Sequence, residues 1–164
     1  MGMGTASAPI PPAAKADPPK DSPLKYAAPE DWKDQGPSGM RVASFSIGSE
    51  VSKGEVTVII AGGDRLSNVE RWQGQLNPAV EADVNKASAT QAIENATKIQ
   101  SAKGIEGQLY SLLGPEGDDQ PAMLAAILPS GQGESSLFVK LTGNAQLAQE
   151  NRDKLIAFIS SLEW

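Results

Sequence analysis

The chain has 164 residues, of which 14 are basic and 20 are acidic, so its formal net charge is -6. This length suits one folded domain with a tail, and the acidic balance excludes a general affinity for the phosphate backbone of nucleic acid. Cysteine and histidine are both absent, which excludes thiolate nucleophiles, the usual structural zinc sites and catalysis by imidazole.

The first 23 residues, MGMGTASAPIPPAAKADPPKDSP, are dominated by proline, alanine, glycine and small polar residues. Such a segment buries too little apolar surface to offset the entropy cost of ordering it. We therefore predict a disordered N-terminal tether over residues 1 to 23 and a single folded domain over residues 24 to 164.

A tether of this composition is typical of exported or lipid-anchored bacterial proteins, although a linker in the cytoplasm is the alternative. No stretch holds the roughly 18 consecutive apolar residues that cross a bilayer, so we predict no insertion of the chain itself into a membrane. The expectation is an extracytoplasmic location, in the periplasm or at a membrane surface, with a lipid anchor on the full-length precursor.

The folded part begins with two predicted strands. Residues 40 to 47 alternate between apolar side chains and serine or other polar side chains, which is typical of a strand with one wet face. Residues 55 to 61 are apolar and β-branched on both faces, which indicates a strand in the middle of a sheet. The polar turn between them predicts that the two strands pair as a hairpin.

A change to helical spacing follows. Leu66, Val69 and Leu76 fall on one face of a helix over residues 64 to 76, and Asp64 is placed to cap its first free amides. The preceding glycine pair, Gly62-Gly63, lacks the lysine and hydroxyl of a phosphate-binding loop. We interpret it as a strand-to-helix corner in which the glycines supply unusual backbone angles.

The pattern of the second half of the chain predicts a short helix, an antiparallel meander of strands and a C-terminal helix. Residues 79 to 95 have weak helical spacing and form one short helix. The closing helix over residues 144 to 162 carries an apolar stripe, is capped by Asn144 and should lie on the sheet. Antiparallel strands are predicted at residues 105 to 113, 122 to 128 and 135 to 142, with a shorter strand at residues 97 to 102.

One candidate partner surface lies on the first helix. Arg65, Arg71 and Trp72 could present a mixed cationic and aromatic face to a protein partner. The alternative is that Trp72 packs on the sheet while both arginines are solvated. We predict no catalytic residue, no cofactor and no metal site.

Acidic residues offer a second functional hypothesis. Glu116, Asp118 and Asp119 cluster in one loop, but the distal bidentate glutamate of a calcium loop is missing, so a solvated acidic turn is favoured. A small hydrolase that uses Glu116, Asp118 or Asp64 is the enzymatic alternative. A small-molecule carrier that uses the space between sheet and helices is a third possibility.

Two local patterns resemble a known group of folds. One is Tyr26-Ala27-Ala28-Pro29-Glu30-Asp31-Trp32, followed shortly by Met40-Arg41-Val42-Ala43-Ser44-Phe45. The other is Phe138-Val139-Lys140-Leu141-Thr142-Gly143, which leads into the last helix with its Ser160-Ser161-Leu162 ending. Together they resemble the α/β/α sandwich of the PsbP and Mog-type group and small bacterial envelope proteins of unassigned role.

The resemblance implies an α+β fold, with an antiparallel sheet flanked by helices, that binds or assembles with partners and has no catalytic activity. The metal sites of some members of the group use histidine, which this chain lacks. We therefore expect a non-catalytic binding or assembly module of the bacterial cell envelope, with a protein partner that the sequence does not name.

Overall fold

Residues 24 to 131 and 133 to 164 are described by a computed structural model, in which seven strands form one antiparallel sheet with three helices packed on it. This confirms the predicted α+β class. The predicted tether at residues 1 to 23 lies outside the described residues.

The strands and helices follow the predicted order. The helices are α1 Arg65–Leu76, α2 Ala82–Glu94 and α3 Ala145–Ser160. The strands are β1 Lys33–Asp34, β2 Arg41–Gly48, β3 Lys53–Ala61, β4 Thr97–Gln100, β5 Glu106–Leu113, β6 Pro121–Pro129 and β7 Ser136–Asn144. The two-residue β1 was not predicted, because it is too short to show an alternating pattern.

The sheet order is β1-β2-β3-β7-β6-β5-β4, and all paired neighbours are antiparallel. The predicted β2–β3 hairpin and the β5–β6–β7 meander are confirmed. The central position of β3, between β2 and β7, is confirmed as well. The last strand of the meander, β7, pairs with β3 of the hairpin, so the hairpin and the meander form one continuous sheet.

One face of the sheet is covered by α3 and by the segment that precedes the sheet. Phe45, Val56 and Leu141 lie in one cross-strand row and are fully buried. Leu24, Tyr26 and Trp32 belong to the same apolar core. The predicted packing of the last helix on the sheet is thus confirmed, and the residues that lead into the sheet complete that core.

The opposite face carries α1 and α2. They lie over β5 and β6 and enclose a second core that includes Trp72, Tyr110 and Phe138. The rings of Trp72 and Phe138 meet edge to face, with their centroids 5.4 Å apart. In the described part of the chain both helices lie toward the β5 side, and on β3 only Ile59 and Ala61 pack against the edge of this second core.

Both predicted helix caps are confirmed. Asp64 accepts a hydrogen bond of 3.0 Å from the Ser67 amide, and Asn144 accepts one of 2.8 Å from the Leu147 amide. The corner before α1 is formed as expected, although Gly63 alone of the pair has a positive φ, +102°. A carboxylate therefore occupies the first turn of α1, where a phosphate-binding loop would place its ligand.

Candidate functional site

The register of the sheet assembles a polar surface beside α1. Ser44, Thr57 and Lys140 form one cross-strand row, and Ser46, Glu55 and Thr142 form the next. Directly opposed residues share a face of an antiparallel sheet, and these rows continue into the core beneath α1 and α2. We call this surface the Lys140 face; it comprises Arg41, Ser44, Ser46, Glu55, Thr57, Arg71, Lys140 and Thr142.

Lys140 lies at the border between this surface and the core. Its side chain is half-buried, and its Nζ lies 5.5 Å from the centroid of the Trp72 ring. An ammonium at this distance is attracted by the ring electrons, which fixes the position of the charge. Because Trp72 is itself packed against Phe138, the ring that supports Lys140 is held rigidly.

The electrostatics of the Lys140 face are dominated by positive charge. Burial is the largest cause that lowers the pKa of Lys140, and the nearby Arg71 and Arg41 guanidiniums lower it further, while Glu55 acts in the opposite direction. Two guanidiniums and one carboxylate therefore act on Lys140, in a protein whose net charge is -6. A bound anion would relieve the repulsion between Lys140 and the guanidiniums.

Glu55 forms an ion pair with Arg41. Two nitrogen–oxygen pairs join their side chains, each at 3.4 Å, and both side chains are partly solvated. A pair of this kind contributes little to stability, but it compensates the charge of Arg41. Arg71 and Lys140 are left as the cations available to a ligand, while Ser44 and Thr57, beside Lys140 in the sheet, are buried.

Cationic groups on one surface suit the binding of an anionic group through charge-assisted hydrogen bonds. Arg71 is exposed and belongs to this surface. The partner-surface hypothesis is wrong about Trp72, because its indole is fully buried. The large apolar ring packs in the core, where burial is favourable, and acts beneath the surface as the support of Lys140.

Arg65 lies elsewhere. Its guanidinium is close to Tyr110, and it lines a cleft of about 310 Å³ together with Lys98, Gln108 and Ser136. Arg65 and Arg71 are six residues apart in α1, so their side chains leave the helix in different directions. They therefore project over different parts of the sheet. The structure brings Arg71 and Trp72 together through Lys140 and leaves Arg65 apart.

The structure does not bring Asp64 together with Glu116 and Asp118, the other acidic residues proposed for an enzyme. Asp64 follows β3 at the end of the sheet where Ala61 pairs with Ser136, whereas residues 116 to 119 lie at the opposite end, where Pro121 pairs with Asn144. The hydrogen bond from Ser67 lowers the pKa of Asp64, which is the wrong direction for a general acid. Within the described ranges, no group of three potential ligands could hold a metal ion.

The space that a carrier would use is filled. Trp72, Tyr110 and Phe138 occupy the gap between the sheet and the two helices, and each is at most 1% exposed. The clefts described here lie at the surface instead.

Sequence reasoning missed Arg41, Glu55 and Lys140 as site residues. A signal was present for one of them: Lys140 interrupts the apolar stretch Leu137–Leu141 and is followed two residues later by Thr142, on the same face. A lone lysine in a central strand indicates an open or functional surface at that point. Its partners come from β2, β3 and α1, and no local spacing links these elements.

Comparisons with known proteins reveal a shared fold. No protein family and no curated protein matches this sequence. The fold is similar to that of LpqN from Mycobacterium tuberculosis, described as involved in cell envelope biogenesis, with a TM-score of 0.51, 8% identity, and coverage of 85% of this chain and 81% of that chain.

A protein from Bacteroides thetaiotaomicron is also similar, with a TM-score of 0.44, 11% identity and coverage of 86% of this chain. The present chain spans 44% of the length of that protein. Separately, no helix among the described residues is both long and apolar enough to cross a membrane.

Proposed function

We propose that this protein is a non-catalytic binding module of the bacterial cell envelope, and that it holds an anionic group of its partner on the Lys140 face. The observation that carries the proposal is that the Arg41 and Arg71 guanidiniums both lie near Lys140, while Glu55, the carboxylate that also acts on Lys140, is paired with Arg41. Clustered cations raise the local concentration of an anionic partner and speed its association.

The envelope part of the proposal is supported by the fold shared with LpqN, which is described as involved in cell envelope biogenesis. The resemblance to the PsbP and Mog-type group supports the same kind of role, since it implies binding and assembly. The composition of residues 1 to 23 supports a tether that holds the folded domain at a membrane surface, with a lipid anchor on the precursor.

The binding site is tested with isolated cell envelopes of the source organism and three forms of the protein. Wild type and Arg65→Gln should sediment with the envelopes at low salt and be released as salt screens the charges. The double variant Arg71→Gln with Lys140→Gln should remain in the supernatant. Arg65→Gln is the matched control, because it removes one arginine of the same helix from a different cleft. Equal sedimentation of all three forms would exclude the Lys140 face.

The location is tested separately. Cell fractionation followed by mass spectrometry of the native protein should find it in the envelope fraction with a processed or lipidated N-terminus. An unmodified N-terminus in the cytosolic fraction would contradict the envelope assignment and leave the binding site untouched.

A further inference from the structure

Half of the outer edge of β5 has no neighbouring strand. The pairing of β4 with β5 runs from Gln100 opposite Glu106 to Thr97 opposite Leu109 and stops there. Beyond Leu109, β5 continues to Leu113 and pairs with β6 alone. The described structure therefore leaves a short sheet edge open, and an edge of this kind can accept another strand.

The register shows which backbone groups face outward. The Gly114 amide donates to the Pro121 carbonyl at 2.8 Å, so alternate residues of β5 bond to β6, while Ser111 and Leu113 point away from it. The Leu113 carbonyl accepts a hydrogen bond of 2.9 Å from Gln73 Nε2. Among the described residues, the Ser111 amide and carbonyl and the Leu113 amide are left available to a ligand.

An apolar groove of about 290 Å³ runs beside this edge, between the sheet and α3. Its floor includes Leu113, Ala122 and Leu124, and its wall includes Ala145 and Ala148. Leu113 is 52% exposed, so it is accessible from the groove. A side chain of a strand added to β5 would cover it.

The guanidinium of Arg152 lies at the end of the open edge where β4 begins. Arg152 donates to Ser111 Oγ at 3.2 Å and to Thr97 Oγ1 at 2.7 Å, so it lies where β4 begins. Within residues 24 to 131 and 133 to 164, no carboxylate lies within 4.0 Å of it. A half-buried arginine whose hydrogen bonds go to hydroxyls retains the capacity to bind a carboxylate in bidentate fashion.

These features together select one type of ligand. A strand added antiparallel to β5 would run toward Thr97. It would have to end there, because β4 itself pairs with β5 from Thr97 onward. The end of that strand would place its terminal carboxylate beside Arg152. The residue two positions earlier would lie opposite Leu113, with its side chain on the groove side of the sheet. Its amide would replace the Gln73 side chain on the Leu113 carbonyl.

We propose that the open edge of β5 binds the carboxyl-terminal end of an extended peptide, with its terminal carboxylate on Arg152 and the apolar side chain third from its end on Leu113. Addition of a strand to a sheet edge and capture of a terminal carboxylate are both established modes of peptide recognition. The site lies on the α3 side of the sheet, away from the Lys140 face, so this proposal stands independently of the one above.

The probe is a fluorescein-labelled peptide that ends in Thr-Ile-Thr-Val with a free carboxylate, measured by fluorescence polarisation against the full chain. The same peptide with a terminal amide should bind at least about tenfold more weakly, because a charge-assisted hydrogen bond is lost. Replacement of its isoleucine by serine should weaken binding as well. Equal affinity of the acid and the amide would overturn the proposal.

Protein variants locate the site. Arg152→Gln should reduce the affinity for the free acid to that for the amide. Leu113→Glu should abolish binding, whereas Val84→Glu, which changes a similarly exposed residue of α2, should not. The double variant of Arg71 and Lys140 should bind the peptide normally, which separates this site from the Lys140 face. Wild-type affinity of Leu113→Glu would refute the placement.

Hydrogen exchange supplies a readout on the wild-type protein that needs no variant. The Ser111 and Leu113 amides should exchange rapidly in the free protein and become protected when the free-acid peptide is added. The Leu112 amide, which faces β6, should be protected in both states. Peptide binding without added protection of Ser111 and Leu113 would place the ligand elsewhere.

Discussion

The indole nitrogen of Trp32 donates a buried hydrogen bond of 3.0 Å to Oδ1 of Asn151 in α3. Asn151 in turn donates to the Leu147 carbonyl at 2.9 Å, and the Trp32 ring packs 5.3 Å from that of Phe158. The segment that precedes the sheet is thus joined to the last helix, 119 residues later in the chain. The folded unit therefore includes this segment as part of its core.

Asn151→Ala should destabilise the protein by about 1 to 3 kcal/mol, because it leaves the Trp32 indole N–H buried without its acceptor. Urea denaturation followed by tryptophan fluorescence measures the change in the free energy of unfolding. Gln149→Ala removes an exposed amide from the same helix and should change stability by less than about 0.5 kcal/mol. Similar losses in both variants would mean that the hydrogen bond contributes nothing specific.

Gly54→Ala should destabilise the fold by about 1 to 3 kcal/mol through overpacking. A Cβ at this position would collide with the Thr142 carbonyl oxygen and the Leu147 side chain. Gly62→Ala is the matched control, since nothing lies within 4 Å of its Cβ position and its φ is not positive. Thermal unfolding of both variants should separate them clearly, and a loss in Gly62→Ala as large as that in Gly54→Ala would contradict the clash.

The stability of the protein should fall at alkaline pH. Burial raises the pKa of Tyr26, aided by its hydrogen bond to Asp34, and burial raises that of Tyr110 as well. Tyrosines of the unfolded chain ionise near pH 10, where the folded protein still retains both protons. The unfolded state is therefore increasingly favoured above about pH 10.

Two measurements check this expectation. Ultraviolet absorbance of tyrosinate should remain low above about pH 10 until the protein unfolds. Tyr26→Phe should reduce the loss of unfolding free energy with rising pH, because one of the two linked protons is removed. Ionisation of both tyrosines at their ordinary pKa in the folded protein would show that this burial does not control them.

The pKa of Lys140 should respond in opposite directions to two neutralising substitutions. Arg71→Gln removes a repelling cation and should raise this pKa, whereas Glu55→Gln removes the attracting carboxylate and should lower it. Titration of the lysine side chains by carbon-detected NMR measures both shifts. Shifts of the same sign would mean that these charges do not act directly on Lys140.

Binding at the Lys140 face should follow the same titration. Because the pKa of Lys140 lies below that of an ordinary lysine, its charge is lost at a lower pH than usual. Retention on envelopes should therefore decline as the pH rises toward about 10, the ordinary lysine range. A constant retention over that range would exclude a contribution from the Lys140 charge.

Most elements of the fold follow from local patterns in the sequence. Alternation identified β2, helical spacing identified α1 and α3, and Asp64 and Asn144 marked helix starts that the hydrogen bonds confirm. These signals are local because a strand or a helix buries side chains at a fixed spacing along its own chain. The sequence also excludes thiolate and imidazole chemistry directly, since both require residue types that this chain lacks.

The sites themselves depend on the tertiary structure. Arg71, Glu55 and Lys140 come from three elements, and only the sheet order and the lateral position of α1 bring them together. Trp72 shows the limit of sequence reasoning, because the same helical position fits a core residue and a partner-binding residue. Likewise, the open edge of β5 arises because β4 ends at its pairing with Leu109. Long-range register decides both surfaces, since contacts between distant segments leave no fixed spacing in the sequence.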